Sequence, residues 1–377
     1  MGSFKEKLAS LSPSLRAKIR LGEEEQTHSR AGLMSHMPVS AWLVDTMRHC
    51  GGQTVVEAGL WLREHCARGG KVFLTMAGAG SSFELGVPIG RLMRSGHIAG
   101  ICVTGANLEE SLYRFVANGC YAHIPDYTEL TRSEEKELDR AGFRRITDTF
   151  LPEDESVRII LPQLEKLWRE AEAEGEQRLW HEYFFELFCR NVVSCDPTTS
   201  SNDCWLHEAW RCAIPVFVPG FEDSTMGNIF AWETYQGNHP FLKRFKPENP
   251  IRADVVLPSV AYMHWLAEWY LDTAKKTPLA FVQLGGGIAG DFPICVVPHL
   301  KKDYLANCEV SVQDQEIPPW AGFIEIHTSP MSAGSYSGAG GKEKITWSKL
   351  GEEAYIAQVW GDYTALFPII TAILLER

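Results

Sequence analysis

Between residues 71 and 117 the chain reads strand, glycine loop, helix, strand, helix. The run Lys71-Val72-Phe73-Leu74-Thr75-Met76 has the length and apolar content of a buried strand, and Ala77-Gly78-Ala79-Gly80-Ser81-Ser82 follows it. A helix is predicted from there to about Ser95, then a strand Ile98 to Thr104, a turn Gly105-Ala106-Asn107 and a helix Leu108 to Ala117. Parallel strands cannot be joined by a tight turn and need a crossover, so this alternation predicts a parallel sheet with helices packed on it.

The same rhythm returns later, with strands predicted at Ile214 to Val218, Leu279 to Leu284, Gly322 to Thr328 and Tyr355 to Trp360. Helices are predicted from near Met226, from Pro258 to Ala274 and from Leu366 to Leu375. The stretch from Leu151 to Trp210 reads as mostly helical, with a polar loop Pro197 to Asn202. No internal repeat or flexible linker interrupts the pattern. The expectation is an α/β, doubly wound, mostly parallel Rossmann-like sheet with helices on both faces. It divides into an N-terminal helical arm and helices over residues 1–68 and a catalytic domain over 69–377.

Phe4, Leu8, Leu11, Leu15 and Ile19 recur at helical spacing, which predicts an amphipathic arm able to lie over a neighbouring subunit. With 377 residues, 45% of them hydrophobic, the chain can bury a large core. No stretch approaches the roughly 20 apolar residues of a membrane span, and a charged start is unlike a signal peptide; a soluble cytoplasmic protein is expected. The net charge of -12 argues against nucleic acid and suits cationic small molecules as well as plain solubility. Ten cysteines without a C-x-x-C pair, and histidines such as His207 and His264 without ligand-spaced partners, predict neither disulfides nor a metal. Trp42, Trp61, Trp168 and Trp205 are expected in the core or an interface.

Open parallel sheets bind ligands beyond the carboxyl ends of their strands. Those ends carry Gly78 to Ser82, Thr104 to Glu110, Asp223, Gly285 to Gly287, Thr328 and Asp362. Small residues admit a pyrophosphate and carboxylates accept ribose hydroxyls, so a dinucleotide is one candidate; Gly78-Ala79-Gly80-Ser81-Ser82 lacks the last glycine of a full G-x-G-x-x-G, and tight packing explains such a loop as well. Near the end, Ile345-Thr346-Trp347-Ser348-Lys349 sets a lysine beside an aromatic. Loss of hydration there is expected to lower its pKa and leave amine free for imine chemistry.

Taken in order, Gly78 to Ser82, Thr104 to Glu110, Pro215 to Pro219 with Asp223-Ser224-Thr225-Met226-Gly227-Asn228, Gly285 to Gly287, Gly334-Ser335-Tyr336-Ser337-Gly338-Ala339 and Trp347-Ser348-Lys349 resemble the deoxyhypusine synthase family, over roughly residues 70 to 377. The resemblance implies NAD-dependent transfer of an aminobutyl group from spermidine, held as an imine on the lysine that Lys349 matches. It further implies NAD contacts at Gly78, Ala79, Gly80, Ser81, Ser82, Thr104, Gly105, Ala106, Glu110, Asp223, Thr328, Ser329, Asp362 and Tyr363. The implied substrate pocket holds Glu109, Glu110, Gly286, Glu343 and Trp347 together with positions 228, 291 and 336. A homo-oligomer, a tetramer because family members pair active sites across subunit interfaces, is also implied.

Three of those positions depart from the family pattern: Asn228 and Tyr336 stand where aspartate is usual, and Asp291 where histidine is usual. These changes favour a small polyamine or related amine as acceptor, in the manner of homospermidine synthases, over a lysine of a translation initiation factor. From other classes, the glycine loop is similar to that of sirtuin deacylases, but their G-I-P-D-F-R continuation, H-G pair and zinc cysteines are missing. A noncatalytic NAD-binding subunit is the remaining reading.

Overall fold

The computed structural model describes residues 3–21, 38–303 and 316–376. Ten strands organise it: β1 (Arg20–Leu21), β2 (Lys71–Met76), β3 (Ile98–Val103), β4 (Ala122–His123), β5 (Arg144–Ile146), β6 (Thr149–Leu151), β7 (Val216–Phe217), β8 (Leu279–Leu284), β9 (Trp320–His327) and β10 (Leu350–Trp360). Six of them form a sheet in the order β10-β9-β8-β2-β3-β7, every neighbouring pair parallel. The chain builds outward from β2 through β3 to β7, then returns to place β8 on the other side of β2 and builds outward again. That is the doubly wound arrangement, and its reversal point is the crevice between β2 and β8.

Buried apolar residues explain why these runs are strands. Phe73, at the centre of β2, packs on Phe217, Phe281, Trp269 and Trp320. The helices Cys50–Ala67 and Tyr363–Leu375 meet closely at Gly59, where a side chain would strike Ile373. Gly322 on β9 likewise makes room for Trp61, which stacks between His65 and Tyr355. Trp168 and Trp205 are buried as expected, whereas Trp42 lies exposed.

The sequence reading missed a second, antiparallel sheet, β1-β4-β6-β5. Its strands are two or three residues long, too short for a period-two pattern to register. The amphipathic arm packs on this sheet, within its own chain. It breaks into Phe4–Ser10 and Pro13–Arg16, because a proline opens a helix but cannot continue one. Leu11, Leu15 and Ile19 form a core with Ala122, Ile124, Leu138, Phe143 and Phe150. Buried Lys7 binds Asp154 at 2.8 Å and Lys18 binds Glu134 at 2.6 Å. The arm's stripe is thus covered without a neighbouring subunit.

Candidate functional site

Because all six long-sheet strands run the same way, the loops that follow them share one edge. Gly78 and Gly285 flank the crevice between β2 and β8, both in the left-handed region, at φ 66° and 76°. A side chain on Gly78 would meet the Tyr363 hydroxyl at 3.1 Å, and that hydroxyl donates to Ala77 O at 2.7 Å. A side chain on Gly286 would collide with Ser337.

The loop after β2 is tied to the neighbouring helix by Asn107. Ser81 N donates to Asn107 Oδ1 at 2.9 Å and Ser81 Oγ to Asn107 O at 2.7 Å, while Trp205 Nε1 donates to Ser81 Oγ. Asn107 Nδ2 reaches Met76 O and Gly78 O. Ser81 is therefore a buried tie beneath the crevice. Thr104 caps the helix Gly105–Ala117, and Asp362 caps Tyr363–Leu375. Ala79, Ala106 and Ser329 are half-buried beside this edge, and Gly105 and Ser82 are buried in it. Thr328, Asp223 and Asn228 are exposed. Asn228 Nδ2 donates to Ser224 O at 2.7 Å, turned back on its own helix.

Two carboxyls on the helix after β3 are almost fully buried. Glu109 accepts from the Thr225 and Met226 amides at 2.9 and 2.8 Å, closing the start of the helix Thr225–Glu233, and burial still pushes its pKa up to about 7. Burial raises Glu110 to about 8, helped by the Glu109 charge. Glu110 Oε2 has no hydrogen-bond partner among the described residues. With Asp223, Asn228, Arg144 and Arg145 these glutamates border a cleft of about 310 Å³. Left-handed glycines at the reversal point, helix starts facing it and an unsatisfied buried carboxyl suit a dinucleotide and its ribose hydroxyls.

Lys349 sits elsewhere. It directly precedes β10, so it enters from the opposite end of that strand to Asp362. Leu350 pairs with Trp320 and Trp360 with His327, a rise of about 23 Å at 3.3 Å per residue. The helix Ile288–Ile294 comes back from Gly287 to meet it, and Lys349 Nζ lies 3.1 Å from Asp291 Oδ1. Cys295 Sγ approaches the same oxygen at 3.6 Å. Lys349 is 8% exposed. Its Nζ is 5.8 Å from the centre of the Tyr336 ring and 5.9 Å from that of Trp347. Trp347 itself is 64% exposed, so Tyr336 is the wall on the inner side and the amine is not left without a charged partner. Asp291, Tyr336, Glu343, Trp347 and Lys349 share a cleft of about 740 Å³ with Cys295 and Lys344.

The predicted site residues thus fall into two clefts. Asn228 follows β7 and Lys349 precedes β10, the two edge strands of the sheet. Sequence reasoning also missed Lys344, Glu325 and His327. Lys344 is buried with Nζ 4.7 Å from the Tyr336 ring centre and 4.8 Å from that of Phe323. Glu325 lies in the middle of β9, accepts from Gln358 at 2.5 Å and Gln283 at 3.3 Å, and is pushed up to about 7 by burial. His327 Nε2 is 3.6 Å from it. The available signal was a charged residue inside an otherwise apolar strand, Phe323-Ile324-Glu325-Ile326.

A family model for deoxyhypusine synthase matches residues 42–374. A Picrophilus torridus protein assigned as a deoxyhypusine synthase is 25% identical over 240 residues, covering 62% of this chain and 62% of its own length. A deoxyhypusine synthase-like protein of Thermosynechococcus vestitus is 25% identical over 309 residues, 81% of this chain and 70% of that one. The matched stretch thus spans under two thirds of the Picrophilus relative. Among solved structures, one from Entamoeba histolytica assigned to deoxyhypusine synthase superposes with a TM-score of 0.50 at 10% identity, over 89% of this chain and 91% of that one, a likeness of fold.

Proposed function

The chain belongs to the deoxyhypusine synthase family, and from that premise we propose that it is an NAD-dependent transferase that carries an alkylamine fragment as an imine on Lys349. The observation that carries this reading is the buried Lys349 amine in an open cleft, 3.1 Å from a carboxylate. NAD, when bound, supplies a hydride acceptor that later returns the hydride. The crevice glycines Gly78 and Gly285, with Glu110, Asp223 and Asp362, would hold it.

Lys349 does the covalent work. Its nitrogen bonds to the imine carbon of the oxidised donor, the old carbon–nitrogen bond breaks, and the departing amine takes the proton that Lys349 loses. Asp291 is placed to accept that proton and pass it on. An acceptor amine then displaces Lys349 by the same exchange in reverse, and a cleft walled by Tyr336 keeps water from the imine.

Of the two acceptors left open by the sequence, the relatives support a lysine of a translation initiation factor more than a small amine, with spermidine as donor. Asn228 and Tyr336 are what favours the small amine. Incubating the protein with NAD, spermidine and either the factor or a panel of amines, followed by mass spectrometry, decides between them; no product from any acceptor would sink the transferase reading. A homo-oligomer, tetrameric in the manner of the family, belongs to this reading. The two clefts serve one reaction only if the lysine cleft of one copy meets the glutamate cleft of another. Light scattering that finds a monomer at working concentration would remove that part. Among the described residues no helix is long and apolar enough to cross a membrane, and a cytoplasmic location goes with this chemistry.

A further inference from the structure

We propose that the lysine cleft contains a subsite for a carboxylate, with Lys344 as its cation, so that an amine bearing an acid group is held beside Lys349 more tightly than the same amine without one. The inference rests on the imine reading for what happens at Lys349, but the subsite itself is a binding claim that can stand or fall separately.

Lys344 lines the cleft and is only 3% exposed. Its ammonium sits against two aromatic faces, Tyr336 and Phe323. Among the described residues it forms neither an ion pair nor a hydrogen bond. A buried ammonium with three unfilled donors is costly unless something fills them. The acids that act on it through their charge, Glu325, Asp291 and Glu343, each hold another partner. Asp291 is taken by Lys349, Glu343 accepts from Gly340 N at 3.2 Å, and Glu325 is held by Gln358 and Gln283. The Tyr336 hydroxyl, beside it, is a buried group without a hydrogen-bond partner among the described residues.

The cleft's charges agree with a zwitterionic guest. Lys302, Lys344 and Lys349 face Asp291, Asp303 and Glu343, so no excess of acid is present to attract a polycation. Lys344 and Lys349 both lie over Tyr336, at 4.7 and 5.8 Å from its centre, which sets the carboxylate a short aliphatic chain away from the reacting amine. A diamino acid fits that spacing, and a carboxylate on an ammonium gains a charge-assisted hydrogen bond that a plain diamine lacks.

The test uses the full chain with NAD present and compares ornithine with 1,4-diaminobutane, the same diamine without the carboxylate, and lysine with 1,5-diaminopentane. Calorimetry should show each amino acid binding about tenfold tighter than its diamine. Lys344→Met, which keeps an aliphatic stem between the two rings, should bring that ratio to about one. Acetate should compete with ornithine on the wild-type protein, which decides the matter if the variant does not fold. Diamines that bind as tightly as their amino acids in both pairs, or acetate that does not compete, would overturn the subsite. Borohydride trapping on Lys349 of the carbon chain that NAD oxidation of either guest would deliver, with ammonia leaving, reports separately on the imine: binding preference without trapping keeps the subsite and removes the imine reading.

Discussion

The strand-end edge and the lysine cleft solve opposite electrostatic problems. At the edge, Glu109 and Glu110 are buried together, and burial pushes both carboxyls up, to about 7 and about 8. They are acids kept partly protonated, with one oxygen left open. In the lysine cleft Lys349 pairs with Asp291, while Lys344 lies against aromatic faces and burial lowers its pKa. On the proposed reading, one region receives hydroxyls and the other handles nitrogen. The difference suggests why the fold separates them: a bare lysine beside Glu110 would pair with it and silence both.

The sharpest way to break this division is at Lys349. Lys349→Arg keeps a cation but cannot form an imine, so turnover should fall by a thousandfold or more, roughly the scale of losing a covalent nucleophile. Borohydride during turnover should label the Lys349 peptide in wild type and leave the variant unlabelled. Cofactor affinity, measured by calorimetry, should survive in Lys349→Arg and fall in Glu110→Ala and Asp223→Ala. If Lys349→Arg turns over normally, the chemistry is not in this cleft.

Mixing comes next in size. Lys349→Arg and Glu110→Ala damage different clefts, so if a site is completed between copies, co-refolded mixtures should recover about a quarter of wild-type activity, as random pairing of half-sites predicts. Recovery no greater than the sum of the two variants alone would confine each site to one chain.

A double-mutant cycle sharpens the same point. Asn228→Asp and Tyr336→Asp should each raise the preference for spermidine, by about tenfold to a hundredfold apiece if each gains a charge-assisted hydrogen bond. In one chain they line different clefts, so kcat/KM effects should add; coupling would place them in one site across an interface. If neither variant gains on spermidine, these positions do not set specificity.

The smallest effect is on stability. Glu110 keeps its proton in the folded chain up to about pH 8, whereas its ordinary value is 4.5. Between those values the folded state binds more protons than the unfolded one, so stability falls as pH rises through that window. Glu110→Gln should remove part of this slope and raise Tm at pH 8 by about 1–3 °C, read by thermal melts at pH 5 and 8. An unchanged slope would mean Glu110 is not the group responsible.

How much of this was legible depended on distance along the chain. The strands Lys71 to Met76 and Leu279 to Leu284 announce themselves through continuous apolar runs, and their glycine loops through local backbone needs. Asp291 meeting Lys349 is a contact across 58 residues that no local pattern encodes, made by a helix whose return path is set by packing. Lys344 was passed over because a lysine near a surface-like Gly341-Lys342-Glu343 run carries no sign of burial. The antiparallel sheet was missed because strands of two or three residues are too short to show an alternation.

The reversal between β2 and β8 also has a history in time. The central strand β2 acquires β3 within 30 residues, but its other neighbour, β8, begins at residue 279. A ribosome adding roughly 5–20 residues per second leaves that flank of β2 without its partner for about 10–40 s. For that interval the nascent chain presents Val72, Phe73 and Leu74 on an open sheet edge, the kind of template on which chains aggregate. Slower translation of the middle third should therefore lengthen exposure at the very strand that later anchors the crevice.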